Sequence, residues 1–158
     1  MQKEINTRIH INASPEKVWQ VLTDFENQCK WNPFVRSITG DVKKGNTIKV
    51  VLGPQGSKPM TFKPTVLAFE QNREFRWLGH LFFSGIFDGE HSYQLLENGD
   101  GSTTFIHSEK FKGILVGLMA KKLDTEIKAG FEEMNIALKG QAEALSVGVY
   151  PPFVSSHH

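Results

Sequence analysis

With a single cysteine, Cys29, the chain can form no internal disulfide. Its longest apolar run, Gly113 to Ala120, is well short of the ~18 residues a membrane-spanning helix needs, so no span is expected. Neither sign of charge dominates: 18 basic residues face 17 acidic ones, and the longest basic runs are the pairs Lys43-Lys44 and Lys121-Lys122. A nucleic-acid partner would need basic residues gathered in a patch, and here they are scattered. The opening Met1-Gln2-Lys3-Glu4 has no signal-peptide character, which with the lone cysteine predicts a reducing, cytoplasmic setting. Gly53-Pro54-Gln55-Gly56-Ser57-Lys58 lacks P-loop spacing and precedes a strand, no serine sits in a Gly-x-Ser-x-Gly elbow, and no histidine pair has helical spacing. No cofactor or metal is therefore expected.

A long amphipathic stretch from Val116 to Ser146 is the main organising feature. Val116, Ala120, Leu123, Ile127, Phe131, Met134, Leu138, Ala142 and Leu145 recur at steps of three and four, and charges fill the opposite side. Such a helix, about 45 Å long at ~1.5 Å per residue, needs one large apolar partner surface. The preceding sequence supplies strands. Lys3 to Ile11 alternates, with Ile5, Thr7, Ile9 and Ile11 on one face. Ser14-Pro15-Glu16 has the chemistry of a helix start, and a second short helix runs from Asp24 through Cys29 before Asn32-Pro33 stops it. Strands are predicted near Val35–Asp41, Thr47–Leu52, Met60–Glu70, Glu74–His80, Ile86–Leu96 and Ser102–Lys112. Short turns join them, which predicts one antiparallel sheet.

This order, with Ser14-Pro15-Glu16-Lys17-Val18-Trp19, Trp31-Asn32-Pro33-Phe34 and Phe87-Asp88-Gly89-Glu90-His91-Ser92-Tyr93, resembles the helix-grip (SRPBCC, START-like) superfamily. That group includes birch-pollen-type allergens, lipid-transfer domains, and polyketide cyclases and dehydratases. The resemblance runs to about Ser146. It implies an α+β fold in which a curved seven-stranded antiparallel sheet wraps the C-terminal helix, with a mostly apolar cavity between them. One domain over 1–146 and a tail over 147–158 are expected.

Strand parity predicts the lining independently. If Phe87 faces inward, so do Gly89, His91, Tyr93 and Leu95, and the next strand matches with Phe105, His107, Glu109 and Phe111. Across the Asn98–Gly101 turn, His91 should lie beside His107 or Glu109. Two imidazoles and a carboxylate would then be enclosed by aromatics, either as general acid and base or as groups that satisfy one another or a ligand's polar end. The helix contributes Leu123, Ile127, Gly130, Phe131 and Met134. Gly130, on the apolar stripe, is read as space for a ligand, with close packing against a strand as the alternative, and Trp31, Phe34 and Trp77 complete the predicted lining. The partner expected is a small, largely apolar molecule, carried or sequestered. The alternatives are a cyclase or dehydratase acting on polyketide-like or aromatic substrates, and an accessory domain that holds a protein through its tail and aromatic loop. The apolar loop His80–Gly85 is read either as a lid over the pocket mouth or as core resting on the C-terminal helix, and Lys112–Gly117, with two glycines flanking apolar residues, is a second candidate gate.

Overall fold

The computed structural model describes residues 2–53, 56, 58–81 and 83–148. Strand β1 (Gln2–Ile11) leads into α1 (Pro15–Leu22), a 3-10 turn (Phe25–Asn27) and α2 (Gln28–Trp31). Then follow β2 (Val35–Thr39), β3 (Lys49–Leu52), β4 (Met60–Phe62), β5 (Thr65–Glu70), β6 (Glu74–Leu81), β7 (Phe87–Glu97) and β8 (Thr103–Lys112). The described chain closes with α3 (Val116–Lys122), a π-helical turn (Leu123–Ile127) and α4 (Lys128–Ser146). The tail beyond Gly148, with Ser155-Ser156-His157-His158, lies outside the described residues.

Helix α1 starts as its sequence dictates. Ser14 Oγ accepts the Lys17 N–H at 3.3 Å, and Pro15 occupies a position where no amide proton is needed. After α2, the Asn32 side chain takes over. Its Oδ1 accepts the amides of Phe34 and Val35 at 2.9 and 2.8 Å, turning the chain into β2.

Among the described residues the expected seven-stranded sheet is in fact eight strands in two antiparallel sheets, ordered β1-β8-β7-β6-β5 and β2-β3-β4. Lys63-Pro64 divides the predicted strand Met60–Glu70, because a proline has no N–H to give a ladder and is excluded from strand interiors. The β2–β3 connection stitches the seam. Ile48 N–H donates to Pro64 O at 3.0 Å, and Val66 N–H to Asn46 O at 2.8 Å.

The C-terminal helix has the predicted extent but not one uniform geometry, since Leu123–Ile127 widen into a π-helical turn. There Thr125 Oγ1 donates to Lys121 O at 2.9 Å, placing a side-chain bond where the main-chain ladder widens. Val116, Leu123, Phe131, Met134, Leu138 and Ala142 are buried, chiefly against β1, β8 and α1. Each large apolar side chain so buried contributes about 1.5–3 kcal/mol, and this stripe holds the sheet and helix together.

Candidate functional site

β7 and β8 pair along their whole length, with His91 opposite Glu109 and Tyr93 opposite His107. The predicted parity is the observed one. Gly89, His91, Tyr93 and Leu95 are buried on β7, as are Phe105, His107 and Phe111 on β8, while Glu109 is partly buried. Glu90 and Ser92 lie on the opposite face, in a polar groove of about 460 Å3 that none of the predicted site residues lines.

The inward polar groups form one continuous chain of hydrogen bonds. Thr7 Oγ1 donates to the His107 carbonyl at 2.7 Å, and Asn135 Nδ2 donates to Thr7 Oγ1 at 2.9 Å. Asn135 Oδ1 then lies 2.9 Å from His107 Nδ1, His107 Nε2 lies 2.8 Å from His91 Nε2, and His91 Nδ1 lies 2.8 Å from Glu109 Oε1. All four ring nitrogens are thus paired along the chain and do not converge on a common point. Among the described residues no cluster of His, Cys, Asp and Glu is arranged to hold a metal ion.

Aromatic faces enclose both rings. Trp77, the cross-strand partner of His91, stacks on it at 4.7 Å and 12°, and Phe131 from α4 stacks on His107 at 4.0 Å and 9°. Burial, reinforced by the neighbouring His91, holds the His107 pKa well below the usual imidazole value, so the ring is neutral. Burial pushes the Tyr93 hydroxyl up, with the Glu109 charge adding to it, and its O–H points to Met134 Sδ at 3.8 Å.

Gly89 shapes the open end of this chain. A Cβ there would collide with Glu109 Oε2, so the glycine makes room for the carboxylate. The Glu109 side chain retains 15% exposure, against 1% for His91. Phe87, Glu109 and Ile127 are only partly buried, whereas Trp77, Tyr93, Phe105, His107, Phe131 and Met134 pack into a closed middle. Leu123, Phe34 and Phe111 are buried as well, and Trp31 is half-buried with its indole N–H unpartnered.

The reading of Gly130 as ligand space is corrected. A Cβ at Gly130 would lie 2.6 Å from Phe34 Cδ1 and 2.8 Å from Cε1, so the glycine admits an aromatic ring against the helix. Phe34 in turn meets Phe131 edge-on at 5.3 Å. Asn135 and Thr7 were not among the predicted site residues. The signal for Asn135 was available: it lies four residues after Phe131 and three before Leu138, so it sits beside the apolar stripe.

The two predicted gates are neighbours. Ile114 N–H donates to Gly85 O at 3.2 Å and Leu115 N–H to Ile86 O at 3.1 Å. Phe83, Ile114 and Leu118 are exposed there, at 79%, 74% and 83%. Asp88 ties the loop down by accepting the Gly85 N–H and meeting His80 Nδ1 at 2.7 Å. Burial raises the Asp88 pKa, but these bonds outweigh it and leave the carboxyl below its ordinary value. Phe82 lies outside the described residues.

Antiparallel strands packed over one long C-terminal helix define the helix-grip class. Within it, the chain belongs to the polyketide cyclase/dehydrase and lipid transport family, whose profile matches residues 2–139. The fold is similar to that of the Zhui aromatase/cyclase from Streptomyces sp. R1128, at 13% identity and TM-score 0.72, covering 91% of this chain and 95% of that one. It is also similar to a START superfamily protein from Mycobacterium smegmatis, at 21% identity and TM-score 0.67, covering 90% and 98%. Ara h 8.0201 superposes with TM-score 0.63 at 16% identity, covering 91% and 99%. At these identities the likeness is one of fold. No curated protein sequence matches the chain. Among the described residues no helix is long and apolar enough to cross a membrane.

Proposed function

We propose that the protein binds a small, largely apolar molecule between the sheet and the C-terminal helix, at the end marked by Phe87, Glu109 and Ile127. The observation that carries this reading is the Glu109 carboxylate. It is held by His91 on one oxygen, partly accessible on the other, and set among Phe87, Phe111 and Gly89. A carboxylate so placed leaves one acceptor oxygen open to a ligand's polar end in place of water. His91 and Glu109 then fix the ligand's orientation, and the rest of the interior is packed core. Native mass spectrometry of freshly purified protein is the direct test. A co-purified small molecule, or uptake of an apolar fluorescent probe that Phe87→Trp weakens, is the expected result; protein that neither retains nor takes up any such molecule refutes the reading.

A second reading has its own support. The 2.8 Å contact between His91 and Glu109 can hold a transferable proton, which suits general acid–base chemistry of the cyclase or dehydratase kind. In that case Glu109→Gln leaves binding nearly intact and lowers turnover by ~100-fold or more. If it changes affinity alone, carriage or sequestration is the function.

A further inference from the structure

The direction of every hydrogen bond in the buried chain follows from its inner end. A backbone carbonyl only accepts, so the single Thr7 hydroxyl proton is committed to His107 O. Thr7 Oγ1 must then accept from Asn135 Nδ2, and the same amide turns Oδ1 toward His107. An amide oxygen also only accepts, so His107 Nδ1 carries a proton. With His107 neutral, its Nε2 is a bare lone pair, and His91 Nε2 must donate across the 2.8 Å between them.

His91 Nδ1 and Glu109 Oε1 remain, 2.8 Å apart, with one proton between them. It lies on the ring, giving imidazolium and carboxylate, or on Oε1, giving a neutral ring and a carboxylic acid. Both placements leave the cluster with zero net charge. In both, Glu109 Oε2 can only accept, as a carboxylate oxygen in the first and as the acid's C=O in the second. Oε2 is also the free atom: among the described residues it receives no hydrogen bond. The cations nearby do not change this. Lys3 is the only Lys or Arg on the inward faces of β1, β7 and β8, and it is paired with Asp124 at 2.8 Å.

We infer that the recess selects neutral apolar molecules carrying a hydroxyl, which donates to Glu109 Oε2, and rejects the corresponding carboxylates. An anionic head would set acceptor against acceptor in a neutral, poorly solvated site with no uncommitted cation to balance it. An ether of the same shape would offer Oε2 no proton. Thr7 and Asn135, far from the ligand, are positioning residues: they set the chain's polarity and so make Oε2 an acceptor. This specificity rests on the binding reading above.

Three matched fluorescent probes test it at pH 7: 2-naphthol, 2-methoxynaphthalene and 2-naphthoate. The expected result is that 2-naphthol binds about tenfold tighter than the ether, the difference one well-formed hydrogen bond makes, with 2-naphthoate weakest. Glu109→Gln refines the test. Its amide must donate Nε2 to His91 Nδ1, which leaves an amide oxygen at the Oε2 position, so the preference for 2-naphthol over the ether persists. Glu109→Met removes the acceptor and brings the two to within about twofold. Circular dichroism confirms that both variants are folded, and Glu109→Gln alone decides if Glu109→Met is not. Equal affinity of 2-naphthol and its ether, or 2-naphthoate binding as tightly as 2-naphthol, overturns the specificity and leaves the cavity standing. If none of the three binds, the binding reading fails and the specificity with it.

Discussion

Replacing Gly130 by alanine sets two known effects against each other at one site. A glycine within a helix costs about 1 kcal/mol relative to alanine, so the substitution alone favours the folded state by that amount. The new Cβ, however, would lie 2.6 and 2.8 Å from two ring atoms of Phe34, where ordinary contact begins near 3.4 Å. Phe34 must therefore move by most of an ångström. Its backbone is fixed by the two amide bonds to Asn32 Oδ1, and its ring is buried against Phe131. Overpacking of this kind costs ~1–3 kcal/mol, so the net change is a loss of up to about 2 kcal/mol. For a domain of this size that lowers Tm by roughly 2–4 °C per kcal/mol. Gly130→Leu, which adds more volume at the same contact, loses more. Urea unfolding of both variants, with the m-value checked for constancy, is the assay. A gain of about 1 kcal/mol in Gly130→Ala would show the helix propensity acting unopposed, and would mean that Phe34 does not fill this space.

Acid should destabilise the protein from about pH 6.5 downward. The folded state holds His107 neutral while the unfolded imidazole, with its ordinary value of 6.5, takes up a proton, so stability falls with pH by about 1.4 kcal/mol per unit for this one group. A flat unfolding free energy between pH 6.5 and 5 would mean that the ring is charged in the folded protein. Asn135→Leu leaves the His107 Nδ1 proton without an acceptor and should cost about 1–3 kcal/mol by urea unfolding. An unchanged midpoint would show that the chain is not continuous through the helix. Ser14→Ala removes the α1 cap and should cost ~0.5–2 kcal/mol, whereas Ser14→Gly should cost only a few tenths; equal losses would place the effect elsewhere.

What could be read from the sequence follows from how local each signal is. Alternation along β7 and β8 fixes which side chains share a face, so the strand pattern alone puts His91, His107 and Glu109 together, as the observed register does. The cap at Ser14 and the extent of the long helix are likewise short-range patterns. Pro64 carried a local signal too, yet the apolar residues on either side of it read as one strand, and the seam between the two sheets was missed. Thr7 was legible on the inward face and Asn135 beside the apolar stripe, but their bond was beyond reach: they are 128 residues apart, and neither has a pattern that names the other. Gly130 was ambiguous in principle. A small residue on an apolar stripe is equally consistent with a void and with a ring pressed against the backbone, and only Phe34 decides between them.

The space that Gly89 leaves for Glu109 also constrains how this chain can vary. A methyl group at position 89 and a glutamate at position 109 compete for the same volume, so the two positions are not independent characters. Alanine at 89 obliges the Glu109 carboxylate to swing away from its present place, and makes no such demand once position 109 is shorter. The order of substitution then matters, since alanine at 89 disturbs the His91–Glu109 contact only while Glu109 is present. Relatives that share this strand pairing should therefore rarely combine a larger residue at position 89 with a long acid at the diagonal position 109.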